Sequence, residues 1–202
     1  MAVALIGDVI ASRRARDRGL LHERLGEALA RVNERLDPPV PLRITVGDEY
    51  QGVFATVGDA LAASLLLRAA LLPERDVRHG VGVGDVGVLQ EEPRVEDGPA
   101  WWAARDAIVA VKAGESRGPS RTLRTAYVVA DGVTDAPDPA LVNAALVLRD
   151  QLVAAASERS LSVLRGLLDG EPQRVIADRL DISPSAVSQR VRADGLGAIL
   201  TA

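Results

Sequence analysis

Two glycine–aspartate pairs, Gly7-Asp8 and Gly47-Asp48, each close a short apolar, strand-like run. Two carboxylates with open sides suit a divalent cation together with the phosphates of a nucleotide. Glycine beside them lets a backbone approach a phosphate closely. The chain has no cysteine and only two histidines, His22 and His79, so thiolate zinc sites and histidine cages are excluded. Any metal would be magnesium or manganese, held by oxygen, with Asp8 and Asp48 as its ligands. Plainer uses compete. Gly47-Asp48, followed by Glu49, is also an ordinary hairpin turn, and Asp8 alone suits a cap or loop. Arg13, Arg14 and Arg18 follow Asp8 and offer positive charge to phosphates, or form a solvated loop and helix start.

The two aspartates could meet only if the elements before them are neighbours. "VALIGD" (3–8) reads as a buried strand. Leu21, Leu25, Ala28, Leu29, Val32 and Leu36 form one helical stripe, ended by prolines 38, 39 and 41. Leu42, Ile44 and Val46 alternate toward Gly47, and Tyr50, Val53 and Phe54 read as the returning strand. Thr56 and Asp59 form a capping box before an almost wholly apolar helix that ends at Pro73. "VRHGVGVGDVGVL" (77–89) predicts a strand that turns near Gly84-Asp85. Asp97 is expected to cap a helix with Pro99 near its start and Lys112 in its last turn. Trp101 and Trp102 point about 100° apart on that helix, one toward the core and one toward a base or an interface. "TLRTAYVVA" (122–130) is a further strand, and Asp138-Pro139 opens a helix with Leu141, Ala145, Leu148 and Leu152 on one face. This order predicts an α+β fold: a mixed sheet over 1–135, a connecting helix over 136–158 and an all-α module over 159–202.

The all-α module reads as a helix-turn-helix. Leu161, Leu164 and Leu168 mark its first helix, and Val175, Ile176, Ala177 and Leu180 its second. Asp181-Ile182 makes the turn, Ser183 caps the third helix, and Val187 and Val191 face inward. Its outward face carries Ser185, Ser188, Gln189 and Arg192, with Arg190 beside it. Gln and Arg can read adenine and guanine edges, and Ser183 at the helix start can hold a phosphate. Double-stranded DNA is therefore the expected partner. A small helical bundle for docking or dimerisation is the alternative. Residues 157–202 carry as many acidic as basic side chains, whereas phosphate contacts usually dominate DNA affinity.

"IGDVIASR" (6–13), "ITVGDEYQGVF" (44–54), "RHGVGVGDV" (78–86) and "DGPAWWAARDAI" (97–108) resemble, in order, the blocks of the SatD family. More distantly they are similar to class III nucleotide cyclases and diguanylate cyclases. That resemblance implies a cyclase-like βαββαβ palm, a ferredoxin-like sheet, with two metals on two aspartates. Asp8 matches the first metal aspartate and Asp48 the second. Gly47 matches the phosphate-contacting glycine, and Glu49 the acidic neighbour in the GGDEF type. Class III cyclases place Asn and Arg on the helix after the glycine-rich strand. Here Trp102 takes the Asn place and Arg105 lies about one residue from the Arg place. The resemblance thus implies nucleotide binding through Gly47, Asp48, Glu49, Arg13 and Arg105 more than cyclisation.

The 202 residues are 48% hydrophobic and 26% charged with a net charge of −4, ordinary for a globular protein. The longest apolar run, 60–72, is broken by Arg68 and too short to span a bilayer. With no secretory leader recognised, a cytoplasmic, DNA-binding regulator is expected: a homodimer whose sheet domain binds a nucleotide. A metal-dependent nucleotide-processing enzyme is the alternative.

Overall fold

The computed structural model describes residues 1–12, 17–92, 94–115 and 117–201. Arg13 and Arg14, read above as charge for phosphates or as part of a solvated loop, lie outside the described residues. Strand β1 (Ala2–Val9) is apolar at nearly every position because it is central and covered on both faces. Val3 and Leu5 face one layer, Ala4 and Ile6 the other, as the two-residue period of a strand requires.

Helix α1 (Arg18–Leu36) starts at Asp17, whose carboxylate accepts from the Leu20 N–H, and stops at Asp37 in the left-handed region (φ 43°). Prolines 38 and 39 follow it. Strands β2 (Val40–Val46) and β3 (Glu49–Phe54) form the expected hairpin. Helix α2 (Val57–Leu71) opens on Thr56 as expected: the Asp59 N–H donates to Thr56 Oγ1 at 3.0 Å, but the Asp59 carboxylate accepts the Thr56 hydroxyl at 2.7 Å in place of the backbone N–H of a full capping box. Strand β4 (Val77–Gly84) follows and turns at Asp85. The five-stranded sheet has the order β2-β3-β1-β4-β7, with β7 spanning Thr125–Val129. All its pairs are antiparallel except β4–β7.

Helices α1 and α2 cover one face of this sheet, with Leu25, Leu29, Val32 and Leu67 packed on Leu5, Tyr50, Phe54 and Val81. Helix α3 (Pro99–Gly114) covers the other, seating Ala100, Trp101, Ala104 and Ile108 on Ala4, Ile6 and Val53. The glycine-rich strand β4 makes this contact possible. A Cβ at Gly80 would lie 2.2 Å from the Ala104 carbonyl oxygen, and one at Gly82 would lie 2.2 Å from the Ala104 nitrogen. With alanines on one side and glycines on the other, the helix backbone rests directly on the strand.

Two expectations are corrected here. Asp97 does not cap α3. It ends β6 (Arg94–Asp97), which pairs with β5 (Gly87–Glu91) in a separate hairpin, and its carboxylate accepts the Trp102 indole N–H at 2.8 Å. Gly98, at φ 133°, takes the cap position because that backbone conformation favours glycine. The stripe on α4 (Pro139–Ala155) turns outward: Leu141 is 73% and Leu148 67% exposed. The buried face of α4 instead carries Leu146, Arg149, Asp150 and Val153.

The polar pair on that face is held in a dense network. Asp150 accepts from the backbone N–H groups of Arg124 (2.6 Å) and Thr125 (2.7 Å) and from Arg68 Nη1 (3.0 Å). Arg68, itself buried in the apolar α2, also pairs with Asp76 at 2.7 Å. Arg149 donates to Ser64, Thr125 and the Leu61 carbonyl. Both edges of the sheet are interrupted. On β2 the Asn33 side chain accepts from the Leu42 N–H at 2.8 Å and donates to its carbonyl at 2.9 Å. On β7 the Asn143 side chain accepts from the Tyr127 N–H at 2.9 Å and donates to its carbonyl at 2.8 Å.

Four helices complete the chain: α5 (Glu158–Leu168), α6 (Gln173–Leu180), α7 (Pro184–Ala193) and α8 (Leu196–Thr201). Leu161, Leu164, Ile176, Ala177, Val187, Leu196 and Ile199 form their core, which Leu65 of α2 and Val153 of α4 join. Arg165 of α5 donates to the Ala69 and Leu72 carbonyls at the end of α2, and Arg35 of α1 donates to the Leu168 carbonyl at the end of α5. Each guanidinium thereby satisfies terminal carbonyls that lack a partner within their own helix. Among the described residues no helix is long and apolar enough to cross a membrane.

Candidate functional site

Strand register places the two glycine–aspartate pairs side by side. Asp8 of β1 lies directly opposite Glu49 of β3, and Val46 pairs with Glu49, so Gly47-Asp48 is the two-residue turn beside Asp8. The turn reading is right, and it also brings Asp48 to the Asp8 end of the sheet. The two glycines serve different ends. Gly47 adopts φ +65° and has open space where a Cβ would stand. Gly7 makes room for Tyr50, whose ring carbon Cζ would lie 2.3 Å from a Cβ there. Tyr50 Oη in turn meets His79 Nε2 at 2.7 Å, and burial lowers the His79 pKa to about 3, so the imidazole is neutral.

Asp8 is buried and both of its oxygens are engaged. Arg78 Nη1, from β4, donates to Oδ1 at 3.0 Å. Lys112 Nζ, from the last turn of α3, reaches Oδ2 at 2.6 Å. Lys112 arrives there because α3 runs antiparallel to β4: Ala100 sits over Gly84 and Ile108 over Gly80, so the helix ends beside Arg78. Arg78 is fixed from behind by Glu115, which accepts its Nε at 2.7 Å and its Nη2 at 2.8 Å. That fork, then Asp8, holds the guanidinium above its ordinary pKa. Glu115 also faces Arg124 at 3.5 Å, and Arg124 bonds Asp76 at 2.9 Å, so the ion pairs run on to Arg68 and Asp150.

Asp48 and Glu49 are half-buried, and their side chains have no ion pair or hydrogen bond among the described residues. Arg105 is exposed on α3, seven residues before Lys112 and so about 10 Å away along the helix on nearly the same line. Of the expected ligand set, Gly47, Asp48 and Glu49 thus gather with Asp8, while Arg105 stands two turns off. Arg78, Lys112 and Glu115 were not foreseen. The one available signal was that Lys112 is the single lysine among 24 basic residues.

Aspartate oxygens suit magnesium or manganese, but among the described residues no three acidic or histidine side chains form a cation cage. Asp8 and Asp48 are the carboxylates that would hold such a cation, and Lys112 now occupies Asp8 Oδ2. A wide groove of about 1050 Å³ lies elsewhere, between α1, the α2–β4 loop and α5, lined by Arg24, Glu27, Glu74 and Arg165.

The residues read for DNA all lie on or beside α7. Ser183 caps it, accepting from the Ala186 N–H at 3.1 Å, and meets Ser185 Oγ at 2.8 Å. Gln189 and Arg192 are exposed and Ser188 is half-buried. Arg190 turns back, donating to Ser160 Oγ at 3.2 Å and facing Asp194 at 3.8 Å.

Fold and site together define a mixed α/β protein with a charged cluster at one end of its sheet, followed by a helical C-terminal region. The SatD family model matches residues 2–201, and the chain belongs to the SatD family. No curated protein matches it. Among solved structures it is similar to two bacterial light-regulated adenylyl cyclases. The first is 12% identical with a TM-score of 0.48, covering 62% of this chain and 42% of that one. The second is 14% identical with a TM-score of 0.46, covering 62% and 74%. It is also similar to the catalytic core of a rhodopsin–guanylyl cyclase with converted specificity, in complex with ATPαS. That match is 19% identical with a TM-score of 0.43, covering 54% of this chain and 70% of that one. The chain thus spans less than half the length of the first of these structures.

Proposed function

We propose that the chain binds a nucleoside triphosphate through a divalent cation held by Asp8 and Asp48, as a nucleotide-processing protein of the nucleotidyl cyclase type. The observation that carries this reading is the β1–β3 register, which sets Asp8, Asp48 and Glu49 at one end of the sheet. The side chains of Asp48 and Glu49 lack a cationic partner among the described residues, leaving two negative charges for an incoming cation. The cation, when bound, would offset phosphate charge and polarise a phosphoryl oxygen. Gly47 leaves the turn backbone open to a phosphate. Arg78 keeps Asp8 aimed, and Arg105 stands along α3 at about the length of a nucleotide. Calorimetric titration with ATP and GTP in the presence of manganese tests this. Wild type is expected to bind one of them, and Asp48→Asn to weaken that binding at least about tenfold, roughly the loss of one charged contact. A folded wild type that takes up neither nucleotide, and forms no product from either, overturns the reading.

A second reading concerns α7. We propose that α6 and α7 form a helix-turn-helix and that α7 reads double-stranded DNA, most simply as a homodimer presenting two such helices. It is favoured by the left-handed Asp181 (φ 51°) between the helices, by buried Val187, and by exposed Gln189 and Arg192 on the opposite side. In a mobility-shift assay at low salt, the full-length chain should retard its own upstream region, and Arg192→Ala should weaken the shift. No retardation with or without nucleotide removes this reading.

A further inference from the structure

The two cations on Asp8 differ in how firmly they are held. Arg78 is locked by the Glu115 fork and contacts Oδ1 from a β-strand. Lys112 holds Oδ2 by one contact at the end of a flexible stem, and its side chain is 40% exposed. Arg78 therefore cannot leave without stranding Glu115, whereas Lys112, among the described residues, is held by Asp8 alone and can leave once another cation takes its place on Oδ2. The neighbouring Asp48 and Glu49 have no cation of their own among the described residues. Among the described residues, the carboxylates Asp8, Asp48 and Glu49 thus meet two cations, one of them at the end of a partly exposed stem.

We propose that Lys112 is a resident counter-ion: it holds Asp8 Oδ2 in the empty protein, gives it up when a divalent cation arrives, and then pairs with the nucleotide's phosphates. This rests on the nucleotide reading above and adds to it a residue and a direction of movement. Arg78 is a positioning residue that keeps Asp8 aimed in both states. An ammonium and a divalent cation drawn to the same buried carboxylate repel each other, so they compete. Removing the ammonium must then favour the metal alone while disfavouring the triphosphate, two effects of opposite sign. A merely structural lysine would move both in the same direction or neither.

The test uses the full chain and manganese, with free Mn²⁺ read by electron paramagnetic resonance, on wild type, Lys112→Met and Lys112→Gln. Thermal melts first establish that each variant is folded. Without nucleotide, both variants are expected to bind Mn²⁺ at least tenfold more tightly than wild type. Adding Asp48→Asn should erase that gain. At saturating Mn²⁺ the same variants should bind ATP and GTP at least tenfold more weakly. Should wild type bind the metal–nucleotide pair while the variants gain no Mn²⁺ affinity, the role given to Lys112 is wrong and the nucleotide reading stands. Should no variant bind Mn²⁺ with or without nucleotide, both fall.

Discussion

Asp150→Ala is expected to lower the free energy of unfolding by about 3–5 kcal/mol, the usual result of removing one partner from a buried ion pair. Asp150 is fully buried, and burial pushes its carboxyl pKa up while Arg149 and Arg68 oppose the shift. The alanine variant leaves Arg68 Nη1 only its 3.4 Å contact to the main-chain carbonyl of residue 150 and deprives the Arg124 and Thr125 N–H groups of their acceptor. Arg68 retains Asp76, which places the loss inside this range rather than above it. Against a typical total of about 5–15 kcal/mol, the variant should be marginal at 37 °C. Asp150→Asn should lose less, because an amide carbonyl still accepts from the two N–H groups. Urea unfolding followed by circular dichroism measures both. A loss under about 1 kcal/mol for alanine would show that water replaces the carboxylate, contrary to the burial seen here.

Gly82→Val is expected to be comparably severe and to act at a distance. An added Cβ meets the Ala104 nitrogen at 2.2 Å and the Ala100 carbonyl oxygen at 2.3 Å, both main-chain atoms with no rotamer to change. Helix α3 must lift from β4, at a cost of about 3 kcal/mol or more, the upper range for overpacked cores. The lift also carries Lys112 away from Asp8, since the same helix delivers it. Gly26→Ala is the matched control. It lies within α1 with nothing inside 4 Å of the added carbon, so it should raise stability by up to about 1 kcal/mol. Thermal melts of the three chains should rank Gly26→Ala above wild type and Gly82→Val far below. A Gly82→Val protein melting with wild type would contradict direct backbone contact between α3 and β4.

Much of the element order was legible because its signals are local. Thr56 with Asp59, Asp138 with Pro139 and Ser183 with Pro184 mark helix starts through bonds within three residues, and each stands where expected. Asp8 and Asp48 were readable as a pair because each ends an apolar run, and the hairpin between them sets their register. Lys112 was not readable. Its meeting with Asp8 depends on the direction of α3 across β4, which Gly80, Gly82 and Gly84 permit only through contacts distant in sequence. The buried side of α4 was hidden for a related reason. Leu141 and Leu148 suggest an inward stripe, yet Arg149 and Asp150 occupy the interior because Arg68, Arg124 and Thr125 wait there to satisfy them. Hydrophobic spacing assumes that polar groups prefer water, and a buried polar network breaks that assumption.

The two interrupted sheet edges constrain how this chain can meet copies of itself. A strand with unpaired N–H and C=O groups along its length is a template on which another strand can add, and rows of such additions become fibrils. Here Asn143 occupies both main-chain groups of Tyr127 on one border, and Asn33 occupies both of Leu42 on the other. Continuous ribbon growth along the five-stranded sheet is thereby blocked at both ends. Any self-association of this protein should therefore run through helices, sheet faces or the separate β5–β6 hairpin rather than through the borders of the five-stranded sheet.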